Sequence, residues 1–220
     1  MLKVVEKFIS INGEGRRAGQ LAIFIRFAGC NLGCSYCDTS WANRDDVHFE
    51  PMSAEDIYSY VKSTGVRNIT LTGGEPLMQQ GIHELLQLLS NDKSLYIEIE
   101  TNGSISLEDF CDIPNAPSFT MDYKLPSSNM EHKMDTENFD TLTGTDTVKF
   151  VCGSHEDLKR AYDIIKKYDL SEKTAVYISP VFGNIEPEDI VEFMKKHNMN
   201  GVNLQLQLHK IIWSPDKKGV

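Results

Sequence analysis

Cys30-Asn31-Leu32-Gly33-Cys34-Ser35-Tyr36-Cys37 gathers three of the chain's five cysteines directly after the apolar run Leu21–Ala28. Thiolates select soft metals and iron-sulfur clusters, and three of them on one short loop leave a coordination position without a protein ligand. An open position is where a second molecule can be bound and activated. The same residues also suit half of a structural zinc site, which then needs a fourth ligand such as His48. Structural zinc sites usually join two Cys-x-x-Cys pairs, and the sequence has no second pair. Cys111 and Cys152 stand alone and read as ordinary buried or inert thiols.

Outward from this loop, 220 residues are enough for one domain, spanning 1–220, with a substantial core. A formal net charge of -10 disfavours nucleic-acid binding, which needs clustered Lys and Arg to neutralise phosphates, and points to a small-molecule partner. Met1–Ser10 mixes charged with apolar residues unlike a signal peptide, and no apolar run reaches the length of a membrane span. The expectation is a cytoplasmic protein with no membrane partner. In such a reducing compartment clustered thiols read as metal ligands rather than disulfides.

Strands and helices alternate along the chain. Lys3–Ile9 and Leu21–Ala28 read as strands around the turn Asn12-Gly13-Glu14-Gly15. On the second strand the two-residue period puts Phe24, Arg26 and Ala28 on one face. Asp38-Thr39-Ser40 has the composition of a helix cap, and 43–52 reads as a loop ending near Pro51. Ser53 and Asp56 form a capping-box pattern for a helix to about Thr64, with Ile57, Tyr60 and Val61 inward. A short buried strand, Ile69–Thr72, then ends in Gly73-Gly74-Glu75-Pro76, and an apolar-periodic helix follows from about Gly81 to Leu89.

In Leu95–Thr101, Leu95, Ile97 and Ile99 alternate with Tyr96, Glu98 and Glu100. That pattern fits equally a barrel strand with carboxylates in the lumen and an exposed edge strand. Further strands are expected at 119–123, 148–151 and 175–179, and helices at 156–168 and 188–197. The last strand is read over 204–209, with Leu204, Leu206 and Leu208 opposite Gln205, Gln207 and His209. About seven strands in alternation with helices predict an α/β domain with a largely parallel sheet. A charged tail, 213–220, follows.

The pattern Cys-x-x-x-Cys-x-x-Cys, with Tyr36 before the last Cys, resembles the signature of the radical S-adenosylmethionine (SAM) superfamily. Further words narrow the resemblance: Ser10-Ile11-Asn12-Gly13-Glu14-Gly15, Phe24-Ile25-Arg26-Phe27-Ala28-Gly29-Cys30-Asn31-Leu32, Cys37-Asp38-Thr39, Gly73-Gly74-Glu75-Pro76, Glu100-Thr101-Asn102-Gly103 and Leu206-Gln207-Leu208-His209-Lys210. Together they resemble the 7-carboxy-7-deazaguanine synthase family of the queuosine precursor pathway, and they run through nearly the whole chain.

The resemblance implies an incomplete TIM-like barrel of the radical SAM type. In it, Cys30, Cys34 and Cys37 hold three irons of a 4Fe-4S cluster and SAM takes the fourth. Gly73, Gly74 and Glu75 contact SAM in this family, with further SAM contacts implied at Ser127 and Ser179. Implied substrate contacts are Asn12, Glu14, Arg26, Glu100, Asn102, Lys124 and His209. Arg26 would clamp the substrate carboxylate, and Asn12 stands where the family usually has Gln. Thr39 would supply a hydroxyl oxygen to Mg2+, a cation that prefers hard oxygen ligands. The implied reaction turns 6-carboxy-5,6,7,8-tetrahydropterin into 7-carboxy-7-deazaguanine by hydrogen abstraction, ring contraction and ammonia loss. A flavodoxin-like electron donor and a homodimer are implied partners. Two other readings fit part of the pattern: a glycyl-radical enzyme activase acting on a protein partner, and a non-enzymatic zinc-binding module. Arg26, the Glu100–Gly103 word and the final Gln-Leu-His-Lys word speak against the activase.

Overall fold

The computed structural model describes residues 1–215 and 217–220. Among the described residues nine strands form one open sheet: β1 (Leu2–Ile11), β2 (Leu21–Phe27), β3 (Glu50–Met52), β4 (Asn68–Gly73), β5 (Tyr96–Thr101), β6 (Ser118–Tyr123), β7 (Thr147–Cys152), β8 (Ala175–Pro180) and β9 (Val202–Leu204). The order is β3-β1-β2-β4-β5-β6-β7-β8-β9. Every pairing from β2 through β4 to β9 is parallel, while β1 runs antiparallel to β2 and to β3. Helices α1 (Ala54–Thr64), α2 (Ile82–Asn91), α3 (Glu108–Cys111), α4 (Asn138–Thr141), α5 (His155–Tyr168), α6 (Leu170–Lys173), α7 (Pro187–Lys196) and α8 (Leu208–Ile212) complete the fold. This is the expected partial barrel, α/β with a largely parallel sheet.

The two-residue period of each strand separates a greasy outer layer from a polar lumen. Ile23, Ile25, Ile69, Leu71, Ile97, Ile99, Phe119, Met121, Val148, Phe150, Val176 and Ile178 are all buried in one continuous core with Ile57, Val61, Leu85 and Leu86 of α1 and α2. Each such side chain contributes roughly 1.5–3 kcal/mol by leaving water. The alternate positions carry Arg26, Thr70, Thr72, Glu98, Glu100, Thr120, Asp122, Thr147, Lys149 and Ser179. Both readings of β5 are now separated: it pairs with β4 on one side and β6 on the other, so it is an interior strand and its carboxylates face the lumen.

Local signals act as the sequence suggests at α1. The Ser53 hydroxyl accepts from the Asp56 amide, and Asp56 accepts from the Ser53 amide, closing both halves of the capping box; Gly65 ends the helix in the left-handed region. Two expectations need correction. The stretch 43–52 is not wholly a loop: Ser40–Asn43 forms a 3-10 turn and Glu50–Met52 an edge strand, which tolerates Pro51 because its outer side needs no amide donor. The last strand is shorter than its alternation suggests. β9 stops at Leu204, and the Leu208 amide donates to the Gly13 carbonyl (3.1 Å), drawing the chain across the glycine-rich turn into α8. Leu206 is consequently exposed.

Candidate active site

The C-terminal ends of the parallel strands, the β1–β2 turn, the cysteine loop and the tail enclose a cavity of about 510 Å³. That volume is typical of small-molecule sites. It is lined by Glu14, Arg26, Cys30, Cys34, Cys37, Thr39, Gly73, Gly74, Glu100, Asn102, Lys124 and His209 among the residues singled out from the sequence. Residues from seven separate segments of the chain thus meet in one place. Asn12, Glu75, Ser127 and Ser179 are not part of this lining.

The cysteine loop is tied to the ends of three strands. Ser35 donates through its amide to the Ser128 carbonyl (3.1 Å) and through its hydroxyl to the Ser127 carbonyl (2.5 Å). Ser127 is held in turn because its amide donates to Asp157, whose other carboxylate oxygen accepts from the Gly153 amide. The Cys30 sulfur accepts from the Leu32 amide and lies 3.5 Å from the Asn102 amide nitrogen. Burial pushes the Cys30 and Cys34 thiols up from their ordinary range, for Cys34 against the opposing charge of Lys124. Among the described residues no three His, Cys, Asp or Glu side chains converge on a point suited to a single metal ion. A cluster asks instead for one thiolate on each of three irons. His48, the fourth ligand that a zinc site would need, is exposed and outside the cavity. The donor set therefore fits the iron-sulfur group.

Gly73-Gly74-Glu75 has a packing reason for its composition. A Cβ on Gly74 would stand 1.7 Å from the Gly29 carbonyl oxygen, and one on Gly73 would stand 2.3 Å from the Phe27 nitrogen. The Glu75 amide donates to the Gly29 carbonyl (2.8 Å), and the Gly74 amide to the Phe27 carbonyl (3.0 Å). Glycine thus lets the end of β4 dock against the entry to the cysteine loop. Glu75 is fully buried beneath it. Its carboxylate accepts from the Thr101 hydroxyl and from the Leu77 and Asn102 amides. Burial raises its carboxyl despite those bonds. In this geometry Glu75 joins β4 to β5 and positions Asn102.

Arg26 faces the cavity beside Phe8 and Phe24, with its Nε donating to Glu6 (3.1 Å). The His209 imidazole, also at the cavity, packs so closely on Gly13 that a Cβ there would stand 2.6 Å from Nδ1. Burial lowers the His209 pKa, favouring the neutral imidazole. Glu100 lines the same cavity, accepting from the Thr72 hydroxyl (2.6 Å). Thr39 precedes the 3-10 turn Ser40–Asn43 but makes no side-chain cap bond; its hydroxyl stands 3.4 Å from the Gly73 carbonyl and 3.6 Å from the Cys37 sulfur.

A buried ionic chain crosses the floor. The Lys149 ammonium is 3.2 Å from Glu14 and 3.6 Å from Asp122, and Asp122 lies 2.9 Å from Lys124. Glu14 also accepts from the Ser179 hydroxyl and the Gln207 amide, each at 3.1 Å. Burial alone would raise the Glu14 carboxyl, but Lys149 and these donors hold it below its ordinary range. Burial would likewise lower Lys149, and its carboxylate neighbours raise it instead. Asp122 and Lys149 were not legible as site residues from charge alone. Their signal is positional: each is the one charged residue of its strand and lies on the inward face. The tail, read only as a charged segment, reaches the cavity rim through Pro215, Lys217, Lys218, Gly219 and Val220, with the Lys218 ammonium 3.9 Å from the centre of the Trp41 ring.

The radical SAM superfamily model matches residues 24–197. A 7-carboxy-7-deazaguanine synthase of Clostridium acetobutylicum is 63% identical over 218 residues, covering 99% of each chain. Synthases of the same name from Methanospirillum hungatei and Chlorobaculum tepidum are each 35% identical; they align with 97% and 100% of this chain and with 86% and 97% of their own lengths. The crystal structure of QueE from Escherichia coli superposes with a TM-score of 0.75 at 20% identity, covering 94% of this chain and 93% of that one. By its matched residues, its partial barrel and its full-length relatives, the chain belongs to the radical SAM superfamily and, within it, to the 7-carboxy-7-deazaguanine synthase family.

Proposed function

We propose that this chain is a radical SAM carbon-nitrogen lyase that converts 6-carboxy-5,6,7,8-tetrahydropterin to 7-carboxy-7-deazaguanine with loss of ammonia. The observation that carries this reading is the convergence of Arg26, Glu100, Asn102, Lys124 and His209 with the three-cysteine loop on one cavity. When bound, a reduced cluster with SAM supplies the radical that abstracts hydrogen from the substrate. Cys30, Cys34 and Cys37 would hold the cluster. Gly73, Gly74, Glu75, Ser127 and Ser179 are the contacts we assign to SAM; Gly73 and Gly74 line the cavity, the Ser127 carbonyl holds the cysteine loop through Ser35, and the Ser179 hydroxyl donates to Glu14.

Substrate placement falls to the polar lining. Arg26 offers a planar guanidinium that matches a carboxylate. Glu100 and Asn102 offer an acceptor and an amide at a strand end, His209 a neutral imidazole, and Lys124 a cation held by Asp122. Glu14 and Asn12 shape the glycine-rich turn: Asn12 is buried and accepts from the Thr70 hydroxyl (2.8 Å). Thr39 is assigned to Mg2+, a reading supported by a hydroxyl that does no capping. A homodimer, a flavodoxin-like donor and a cytoplasmic location complete the proposal by family resemblance. No helix among the described residues is long and apolar enough to cross a membrane.

The test is anaerobic reconstitution with iron and sulfide, then incubation with SAM, reductant and the carboxytetrahydropterin. The reading predicts a product with the mass of 7-carboxy-7-deazaguanine. A protein that binds the cluster, cleaves SAM and leaves the pterin intact would overturn it.

A further inference from the structure

A second cavity opens at the opposite, N-terminal mouth of the barrel, where Arg16, Lys93 and Tyr96 are exposed to solvent. Thr120 lines both this lower cavity and the upper catalytic one, whereas Glu98 lines only the lower. The two side chains are joined, the Thr120 hydroxyl donating to Glu98 Oε1 at 2.5 Å, and both are buried. The glycine-rich turn closes the partition from the side. Gly15 has a positive φ of 77°, and a Cβ on it would stand 2.8 Å from Glu98 Oε1. Gln205 clamps Gly15 there through both its amide and its carbonyl (2.7 and 3.0 Å). A bonded carboxyl-hydroxyl pair thus stands between the two cavities, at a point where the functional reading assigns no work.

We infer that Glu98 and Thr120 form a proton relay through the floor of the barrel, delivering a solvent proton to the nitrogen lost from the substrate. The inference rests on the proposed function, because only a reaction that releases ammonia needs that proton. Protonated Glu98 gives its proton to the Thr120 oxygen while the Thr120 hydroxyl proton passes upward to the departing amino nitrogen; the C–N bond breaks with its electron pair on nitrogen, which leaves as ammonia. Glu98, now a carboxylate, recovers a proton from water in the lower cavity, and rotation of the Thr120 hydroxyl restores the bond seen here. Besides these O–H and N–H bonds, the C–N bond breaks and the neighbouring carbon gives up a proton to solvent as the ring double bond forms, so that the substrate loses ammonia overall with no oxidant or reductant required.

The electrostatics suit a relay. Burial first, and the Glu100 carboxylate second, push Glu98 up to about 7, against the opposing Thr120 bond and the Arg17 and Lys149 cations. Those groups cover the elements facing it: Glu100 on β5, Thr120 on β6, Lys149 on β7 and Arg17 on the β1–β2 turn. Near neutral pH both protonation states are populated, which is the condition for efficient transfer.

The experiment compares wild type, E98Q, T120V and T120S by the pH dependence of kcat and by the solvent deuterium isotope effect on product formation. The wild type should lose activity as pH rises through about 7. E98Q and T120V should lose that limb and the isotope effect, with kcat lowered on the order of a hundredfold and the pterin KM unchanged. T120S should retain both. An unchanged limb and isotope effect in E98Q overturn the relay alone. Should E98Q fail to fold, the limb present in T120S and absent in T120V supports the relay, and its presence in both overturns it. Absence of product from the wild type at every pH overturns the functional reading and the relay with it.

Discussion

The Lys149 ammonium and the Glu14 carboxylate, 135 positions apart in sequence, meet at 3.2 Å inside the barrel. This pair fastens the glycine-rich turn to the sheet interior, and Asp122 and Lys124 extend it towards the cysteine loop. A buried pair of this kind is weak evidence for stability as a whole, but removing one partner leaves an uncompensated charge. Lys149→Met should therefore destabilise the fold by about 3–5 kcal/mol, measured by chemical unfolding. A change below about 1 kcal/mol would show that Glu14 finds other compensation at once.

The same pair has a pH signature. The folded Glu14 carboxyl titrates below its ordinary 4.5, so its stabilising contribution is complete above that pH and is lost as pH falls towards the depressed folded value. The stability gap between wild type and Glu14→Gln should be largest near neutral pH and narrow steadily in acid. A gap that widens as pH falls would contradict the ionised form of Glu14 as the stabilising one.

Cys30→Ala, Cys34→Ala and Cys37→Ala should each abolish the iron-sulfur chromophore and SAM cleavage after reconstitution. Cys111, exposed, and Cys152, buried on the helix side of β7, should be dispensable for both. Iron and sulfide analysis of Cys34→Ala decides the matter, since a complete cluster in that variant would require a ligand outside the loop.

Arg26→Ala should weaken binding of the carboxytetrahydropterin by roughly 2–5 kcal/mol, the usual effect of truncating one partner of a buried charged pair, while cluster content and SAM binding persist. Glu6 would lose its partner as well, so calorimetric pterin affinity should be read beside thermal stability. Equal affinity in both proteins would assign Arg26 to Glu6 alone.

Thr39→Ala should cost less than the roughly 1 kcal/mol of a lost helix cap, because its hydroxyl makes no cap bond. Its effect should fall on magnesium: chelator-treated wild type regains product formation with added Mg2+, and the variant responds weakly. Identical magnesium titrations of the two proteins would place the cation elsewhere.

Much of this architecture was legible because its signals are local. The cysteine spacing, the capping box at Ser53 and Asp56 and the alternation in β5 each depend on residues a few positions apart. What escaped depends on distant segments. Lys149 reads as an ordinary lysine until the β1–β2 turn and β6 bring Glu14 and Asp122 against it. The alternation Leu204-Leu206-Leu208 suggests a longer last strand, yet the Gly13 carbonyl captures the Leu208 amide and α8 begins there. β3 lacks any periodic signal at three residues, and only its pairing with β1 makes it a strand. Glu75 is a subtler case: its motif was visible, but the bonds to Thr101, Leu77 and Asn102 that turn its carboxylate inward were not.

The most direct test of the account uses pterin substrate deuterated at C6, incubated with reconstituted protein, SAM and reductant and followed by mass spectrometry. The account predicts 7-carboxy-7-deazaguanine formed with transfer of deuterium from the substrate to the 5′ carbon of SAM or 5′-deoxyadenosine. SAM cleavage with no deuterium transfer and no deazaguanine would contradict it.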